Sequence, residues 1–205
     1  NGPAPFAEPD VRDRFYSVSL FTGANVRKAI EDGRADYVPI FLSDIPSLFL
    51  SGRIQLDVAF LQLSPPDAHG WCTLGTSVDT ALAAAQSAHH VVAEINQQMP
   101  RTHGNTLVPF SSVRAFIHTD RPMHTAPPPK ITDVEDAIGA HVAALVPNRA
   151  TLQMGIGAIP DAALRRMFDK EDLGIHTEMF SDGIIDLVEA GVVTNRFKKV
   201  HRGRI

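Results

Sequence analysis

The sequence predicts an α/β fold with a mostly parallel sheet. Strand-like apolar runs alternate regularly with helix-like patterns along the 205 residues, which is the order that β-α-β units produce. Hydrophobic residues make up 44% of the chain and charged residues 20%, so a core of ordinary size can be buried. We therefore expect open, mostly parallel sheets with helices on both faces.

The first part of the chain contains five predicted strands and three predicted helices. The strands are expected at 15–21, 35–42, 57–63, 90–95 and 113–118. The helices are expected at 23–30, from Asp44 onward with Pro46 in the first turn, and at 77–88. Strand 57–63 is apolar almost throughout, as expected for a strand that is covered on both faces.

A proline-rich segment divides the chain. Residues 124–132 include three successive prolines, which can neither continue a helix nor pair in a sheet. We therefore expect an N-terminal α/β domain at 1–123 that lacks its start, a linker at 124–132, and the first part of a second α/β domain at 133–205. Because the sequence does not begin with Met, we expect it to be a fragment of a longer protein.

The second domain is expected to continue the alternation of helices and strands. The strands are predicted at 150–154 and 174–179, and the helices at 133–145, 158–168 and 184–190. Thr132 or Asp133 is expected to cap the first helix, and Pro160 and Asp161 lie in the first turn of the second.

Glu178 is expected to face the glycine turn that Gly155, Ile156 and Gly157 form. The turn follows one parallel strand and Glu178 ends the next, and the carboxyl ends of such strands meet where ligands bind. Spacing alone leaves three interpretations open. One is a dinucleotide site, with an acid about 20 residues after a G-x-G turn, although Pro160 stands at the third glycine position. The others are a carboxylate nucleophile beside backbone N–H donors, and a structural turn with Glu178 in a surface salt bridge.

Four further residues near strand ends are candidates for this site or its structure. His176 lies on the same strand face as Glu178, either as a packed histidine or as a catalytic one. Ser181 and Asp182 are expected to cap the following helix, and a substrate contact is the alternative for Asp182. Glu94 is expected in a loop ion pair.

Several other features are expected to be structural. Residues 75–79 begin like a G-x-S-x-G nucleophile elbow but end in Asp79, so Ser77 is expected to start a helix. Cys72 has no base that the sequence reveals and is expected to be a small buried filler. A single cysteine cannot form an internal disulfide, which favours a reducing, cytoplasmic location. The nine histidines lack the spacing of metal ligands, so no metal is expected.

The charge and hydropathy patterns exclude two further classes of partner. The net charge is −4 and no Lys/Arg block is present, which argues against nucleic acid. The longest apolar stretches are too short to cross a bilayer, so no membrane partner is expected.

Four segments carry a resemblance to a known family: GIGAIPDA at 155–162, DLGIHTEMFSDG at 172–183, LSPPDAHGWCTLG at 63–75 and VVAEINQQMP at 91–100. They resemble the acetyl-CoA hydrolase/transferase family, especially the 4-hydroxybutyrate and butyrate:acetate CoA-transferases. The resemblance extends over essentially the whole chain.

The resemblance implies two related α/β domains, with the active site in the cleft between them and the second domain truncated in this chain. It also implies that Glu178 is the catalytic nucleophile and that Gly155, Ile156 and Gly157 border the thioester oxygen. Coenzyme A is then a substrate, the partners are acyl-CoA and small carboxylates, and a homo-oligomer is expected.

Three points stay open beside this resemblance. If water replaces the acceptor carboxylate, the same site hydrolyses acyl-CoA. A non-covalent nucleotide- or CoA-binding module is the alternative from another class. The cluster of Arg196, Lys198 and Lys199 is expected to lie on a solvated terminal strand, with contact to CoA phosphates as the alternative.

Overall fold

The computed structural model describes residues 3–125 and 127–205. The chain divides into two compact units, 1–125 and 126–205, and the division falls inside the proline-rich segment 124–132, of which residue 126 lies outside the described residues. We call them unit 1 and unit 2 and describe each by itself.

Unit 1 contains two parallel sheets, one antiparallel strand pair and three α-helices in its described residues. Its strands are Ser17–Ser19 (β1), Ala35–Tyr37 (β2), Val58–Leu63 (β3), Trp71–Thr73 (β4), His90–Asn96 (β5), Leu107–Pro109 (β6) and Val113–Thr119 (β7). Its helices are Ala24–Glu31 (α1), Ile45–Leu50 (α2) and Ala81–Ser87 (α3), with 3-10 turns at Pro5–Ala7, Pro9–Val11, Leu42–Asp44 and Phe110–Ser112. β1 pairs with β2, and β3, β5 and β7 form a three-stranded sheet in that order, all in parallel.

The five strands and three helices that the sequence predicts in unit 1 are confirmed, with different ends. β1 and β2 have only three residues each, and α3 begins at Ala81 rather than at Ser77. The sequence analysis missed β4 and β6, which pair in antiparallel fashion. Strands of three residues are too short to show a period of two, and Pro109 at the end of β6 weakens the pattern further.

One face of the three-stranded sheet in unit 1 packs against a helix. Ala59, Leu61 and Leu63 are buried on the face that α3 covers. Phe60 lies on the opposite face and is 80% exposed. The expectation that strand 57–63 is covered on both faces, with helices on both sides of the sheet, is therefore wrong for the described part of unit 1. Its apolar run has the composition of a doubly buried strand, but the described helices cover only one side.

Unit 2 combines two short parallel strands with three helices in its described residues. They are Asp133–Leu145 (α4), Thr151–Leu152 (β8), Ala158–Arg165 (α5), Gly174–Ile175 (β9) and Gly183–Glu189 (α6). β8 pairs in parallel with β9, and Leu173 forms a further parallel bridge with Val193. The core of the unit contains the following fully or almost fully buried side chains: Leu164, Met167, Leu173, Ile175, Ile184 and Leu187.

The predicted helix start at Thr132 is confirmed by a capping box. The Thr132 hydroxyl accepts a hydrogen bond from the Glu135 N–H, and the Glu135 carboxylate accepts one from the Thr132 N–H, so two of the free N–H groups at the helix start are satisfied. α4 then packs closely on α5. A Cβ at Gly139 would lie 2.7 Å from the backbone carbonyl carbon of Ala162, so the absence of a side chain at Gly139 permits this contact.

None of the helices in the described ranges 3–125 and 127–205 is long and apolar enough to span a membrane.

Candidate functional site

The glycine turn connects β8 to α5 and ends in an unusual backbone conformation. Gly157, at the N-cap of α5, has φ 117° and ψ −176°, a region that is essentially restricted to glycine. Ile156 is 59% exposed. The hydrogen bonds of the described residues include none that the N–H groups of Gly155, Ile156 or Gly157 donate. The turn thus follows a parallel strand and has three backbone N–H groups that donate no hydrogen bond among the described residues.

The end of β9 is hydrogen-bonded to the residues that precede the turn. The His176 N–H donates to the Leu152 carbonyl over 2.9 Å. The Met154 N–H donates to the Thr177 hydroxyl over 3.2 Å, and that hydroxyl lies 3.0 Å from the Met154 carbonyl oxygen. Glu178 follows at once and is exposed. The residue before the turn and the residue before Glu178 are therefore hydrogen-bonded to each other. A direct contact between the turn and Glu178 stays a prediction.

The other predicted residues near Glu178 have different environments. His176 is exposed. The Ser181 hydroxyl donates to the Asp161 carboxylate over 2.6 Å, and Asp182 occupies the N-cap position of α6 without a side-chain capping bond. The expectation that the Ser181 and Asp182 side chains cap α6 is therefore wrong, because Ser181 contacts α5 instead and the Asp182 backbone is already helical.

The sequence analysis missed three residues that order this region. Thr177 and Asp161 make the contacts described above. Asn195 is buried, and its Oδ1 atom accepts a hydrogen bond from the Ile175 N–H over 2.8 Å, which satisfies a donor of β9. No local pattern indicates Thr177, because β9 ends at Ile175 and the Thr177 hydroxyl contacts Met154, 23 positions earlier.

Glu94 lies in an ion pair, as expected. Its carboxylate accepts hydrogen bonds from the Arg121 guanidinium, at 2.8 Å from Nη2, and from the Thr119 hydroxyl at 2.7 Å. The pKa of Glu94 is lowered to about 2, most strongly by the Arg121 guanidinium and then by hydrogen bonds with the Thr119 hydroxyl and the Gln62 side chain. All of these groups belong to unit 1 and stabilise the carboxyl ends of β5 and β7.

Residues 75–79 precede a helix, although α3 begins at Ala81 rather than at Ser77, and the expected burial of Cys72 is confirmed. Asp79 accepts hydrogen bonds from the N–H groups of Thr80 and Ala81 at the start of α3, so the 75–79 segment leads into a helix. Cys72 is fully buried in β4, and burial raises the pKa of its thiol, which keeps the thiol protonated and unreactive.

The basic cluster near the end of the chain is not a solvated strand. Lys198 is only 2% exposed, and its ammonium donates to the Arg204 carbonyl. Burial lowers the pKa of Lys198. The side chain packs against β9, since a Cβ at Gly174 would lie 2.6 Å from its Cγ. The expectation of a solvated terminal strand is therefore wrong for Lys198, and the CoA-phosphate alternative stays untested.

Comparison with known proteins identifies the family. Residues 3–127 match the model of the acetyl-CoA hydrolase/transferase N-terminal domain. A succinyl-CoA:acetate/propanoyl-CoA:succinate CoA transferase from Fasciola hepatica is 50% identical over all 205 residues, which cover 42% of that protein. A 4-hydroxybutyrate coenzyme A transferase from Clostridium kluyveri is 44% identical over 204 residues, which cover 48% of it. The chain spans somewhat under half the length of these curated relatives.

A solved structure agrees with this result. The crystal structure of a 4-hydroxybutyrate CoA-transferase from Porphyromonas gingivalis superimposes with a TM-score of 0.82 at 35% identity, over 95% of this chain and 51% of that one. The architecture is therefore that of CoA-transferase structures, with mostly parallel sheets. On the family match and on these identities, the chain belongs to the acetyl-CoA hydrolase/transferase family.

Proposed function

We propose that the protein is an acyl-CoA:carboxylate CoA-transferase that carries CoA as a thioester on Glu178. One observation carries the assignment of the site. Met154 and Thr177 are hydrogen-bonded to each other. This contact brings together the segment with the exposed carboxylate of Glu178, which follows β9, and the glycine turn, which follows β8 and whose N–H groups donate no hydrogen bond among the described residues. Family membership supports the reaction class, because the similar proteins from Fasciola hepatica and Clostridium kluyveri are CoA transferases.

The proposed chemistry begins with attack of the Glu178 carboxylate on the acyl-CoA carbonyl carbon. The C–S bond breaks, CoA leaves as a thiolate, and a mixed anhydride remains on Glu178. The thiolate then attacks the Glu178 carbonyl carbon, which releases the first carboxylate and forms the glutamyl-CoA thioester. A second carboxylate reverses these two steps and leaves as the new acyl-CoA.

We propose that the glycine turn forms the oxyanion-binding site. Each tetrahedral intermediate carries a negative oxygen, and backbone N–H groups that already point at its position stabilise it without reorganisation. The N–H groups of Ile156 and Gly157 are suitable donors because they form no hydrogen bond within the described chain. Gly155 is proposed to border the bound thioester as the first residue of the turn, and His176, Ser181 and Asp182 are proposed neighbours of the pocket.

The substrates and the wider architecture belong to the same proposal. The names of the similar proteins suggest acyl-CoA thioesters and small carboxylates of the acetate, butyrate or 4-hydroxybutyrate class. We propose that residues 1–123 and 133–205 correspond to two related open α/β domains, of which the second is present in part. A homo-oligomer and a cytoplasmic location stay predictions.

The test is the Glu178→Gln variant of the full-length protein. It removes the attacking carboxylate but almost no volume, so we expect transfer from butyryl-CoA to acetate to fall by about 10³-fold or more, with binding of CoA retained. Glu171→Gln is the matched control, because Glu171 is an exposed glutamate that lies before β9; its activity should match wild type.

Substantial transfer by the Glu178→Gln variant would refute the assignment of the nucleophile. The same assay without acetate measures release of free CoA by water. Equal rates with and without a carboxylate acceptor would identify the protein as a hydrolase that uses the same site.

A further inference from the structure

Two hydrogen-bonded contacts bracket the segment that contains Glu178. The Thr177 hydroxyl precedes Glu178 and contacts Met154, the residue before the glycine turn. The Ser181 hydroxyl follows the segment and donates over 2.6 Å to Asp161, which lies beyond the turn in α5. The glycine turn with the first residues of α5, and the loop 178–180, are therefore adjacent segments that hydrogen bonds join at both ends.

The Thr177 contact also fixes the backbone around Glu178 itself. The Thr177 hydroxyl lies 2.9 Å from the Met179 carbonyl oxygen as well as 3.0 Å from that of Met154, while it accepts from the Met154 N–H. The Thr177 side chain, directly before the proposed nucleophile, thus contacts the Met179 carbonyl directly after it and the backbone of Met154, which leads into the turn. Thr177 is partly buried, whereas Glu178 is exposed, so the hydroxyl is suited to hold backbone rather than to touch substrate.

We propose that Thr177 and the Asp161–Ser181 pair are positioning residues that hold the Glu178 segment in register with the glycine turn. This inference rests on the proposed function, since it assigns Glu178 and the turn to one reaction. Attack on the carbonyl carbon requires the carboxylate and the oxyanion donors to approach the same carbonyl group. A displacement of either by about 1 Å can lower turnover by about 10²-fold. The two contacts limit such displacement at both ends of the two segments.

The test compares variants of the full-length protein by the rate at which acetyl-CoA labels Glu178, measured per folded molecule by quenched mass spectrometry. Thr177→Val keeps the shape of the side chain and removes the hydroxyl, so labelling should slow by about 10- to 100-fold. Thr177→Ser keeps the hydroxyl and should restore most of the rate. Thr194→Val is the matched control: the Thr194 hydroxyl also donates one hydrogen bond, to Asp172 over 2.8 Å, and accepts one, from the Arg196 N–H over 3.4 Å, but it lies beside the amino end of β9. Its labelling rate should equal that of wild type.

A double-mutant cycle tests the second contact. If Ser181 and Asp161 act through one hydrogen bond, Ser181→Ala, Asp161→Ala and the double variant should slow labelling by the same factor, because non-additivity identifies a shared interaction. Additive losses would overturn the role of this pair. Labelling of Thr177→Val at the wild-type rate, or a rate that Thr177→Ser does not restore, would overturn the role of Thr177. Failure of the proposed function is separate, since wild type itself would then carry no CoA on Glu178.

Discussion

At the scale of single residues, the two glycines of the turn differ in what they require. A Cβ at Gly157 would meet no atom within 4 Å, but its φ of 117° is one that side chains rarely permit. A Cβ at Gly155 would lie 3.7 Å from the Pro160 Cγ, which is an ordinary contact. The requirement for glycine at 157 therefore comes from the backbone conformation alone. The position of the turn predicts this requirement, whereas the presence of a glycine in the sequence does not.

We predict that Gly157→Ala lowers turnover per folded molecule and that Gly191→Ala, at a glycine after α6 that also has a positive φ and open space around a Cβ, does not. Alanine at 157 must either accept strain of about 1–3 kcal/mol or turn the peptide groups away, and loss of one oxyanion donor costs about 10²- to 10³-fold in turnover. The measurement is kcat per folded protein, with Tm determined for both variants. A Gly157→Ala protein that melts lower but turns over normally would show that the turn is structural only.

The Glu94–Arg121 pair should make stability depend on pH. Because the folded pKa of Glu94 is about 2, below an ordinary value of 4.5, its contribution is complete above pH 4.5 and is lost as the pH falls toward 2. The urea midpoint of Glu94→Gln should therefore lie below that of wild type at pH 6, and the difference should shrink by pH 3. Arg121→Gln should behave alike, since it removes the other partner. A difference that does not change with pH would contradict the ion pair.

At the scale of elements, helices were easier to predict than the strands of the sheets. The capping box at Thr132 and the alanines of α3 act locally, so the sequence alone indicates those helices. Strand ends depend on partners far along the chain. β8 and β9 have only two residues each, and no local pattern reveals where their pairing ends. The contacts of Thr177 with Met154 and of Ser181 with Asp161 likewise join residues that are 23 and 20 positions apart.

The contact between α4 and α5 gives a prediction whose sign is diagnostic. Alanine is favoured over glycine in a helix by about 1 kcal/mol. Gly139→Ala would therefore raise Tm if the helix propensity of α4 alone determined stability. The Cβ would instead lie 2.7–2.8 Å from atoms of Ala162 and Ala163, and overpacking of this kind costs about 1–3 kcal/mol. We therefore expect a lower Tm, measured by circular dichroism. A higher Tm would show that α5 moves away freely.

At the scale of the whole molecule, family and fold class were predictable because four separate segments carry the resemblance. The exposed face of the β3–β5–β7 sheet was not predictable. A strand with apolar residues on both faces has the same sequence pattern whether or not a helix covers the second face. The proposed site consists of a parallel strand pair in unit 2, a glycine turn and an exposed carboxylate, and we propose covalent chemistry at Glu178.

The most direct test of that claim is to identify the modified residue. The full-length protein is incubated with acetyl-CoA without an acceptor, digested, and analysed by mass spectrometry before and after treatment with hydroxylamine, which cleaves thioesters and leaves a hydroxamate on the former acyl group. We predict CoA on the peptide that contains Glu178 and, after hydroxylamine, a hydroxamate at Glu178 with free CoA released. Active enzyme that carries the modification on another residue, or none at all, would contradict the account.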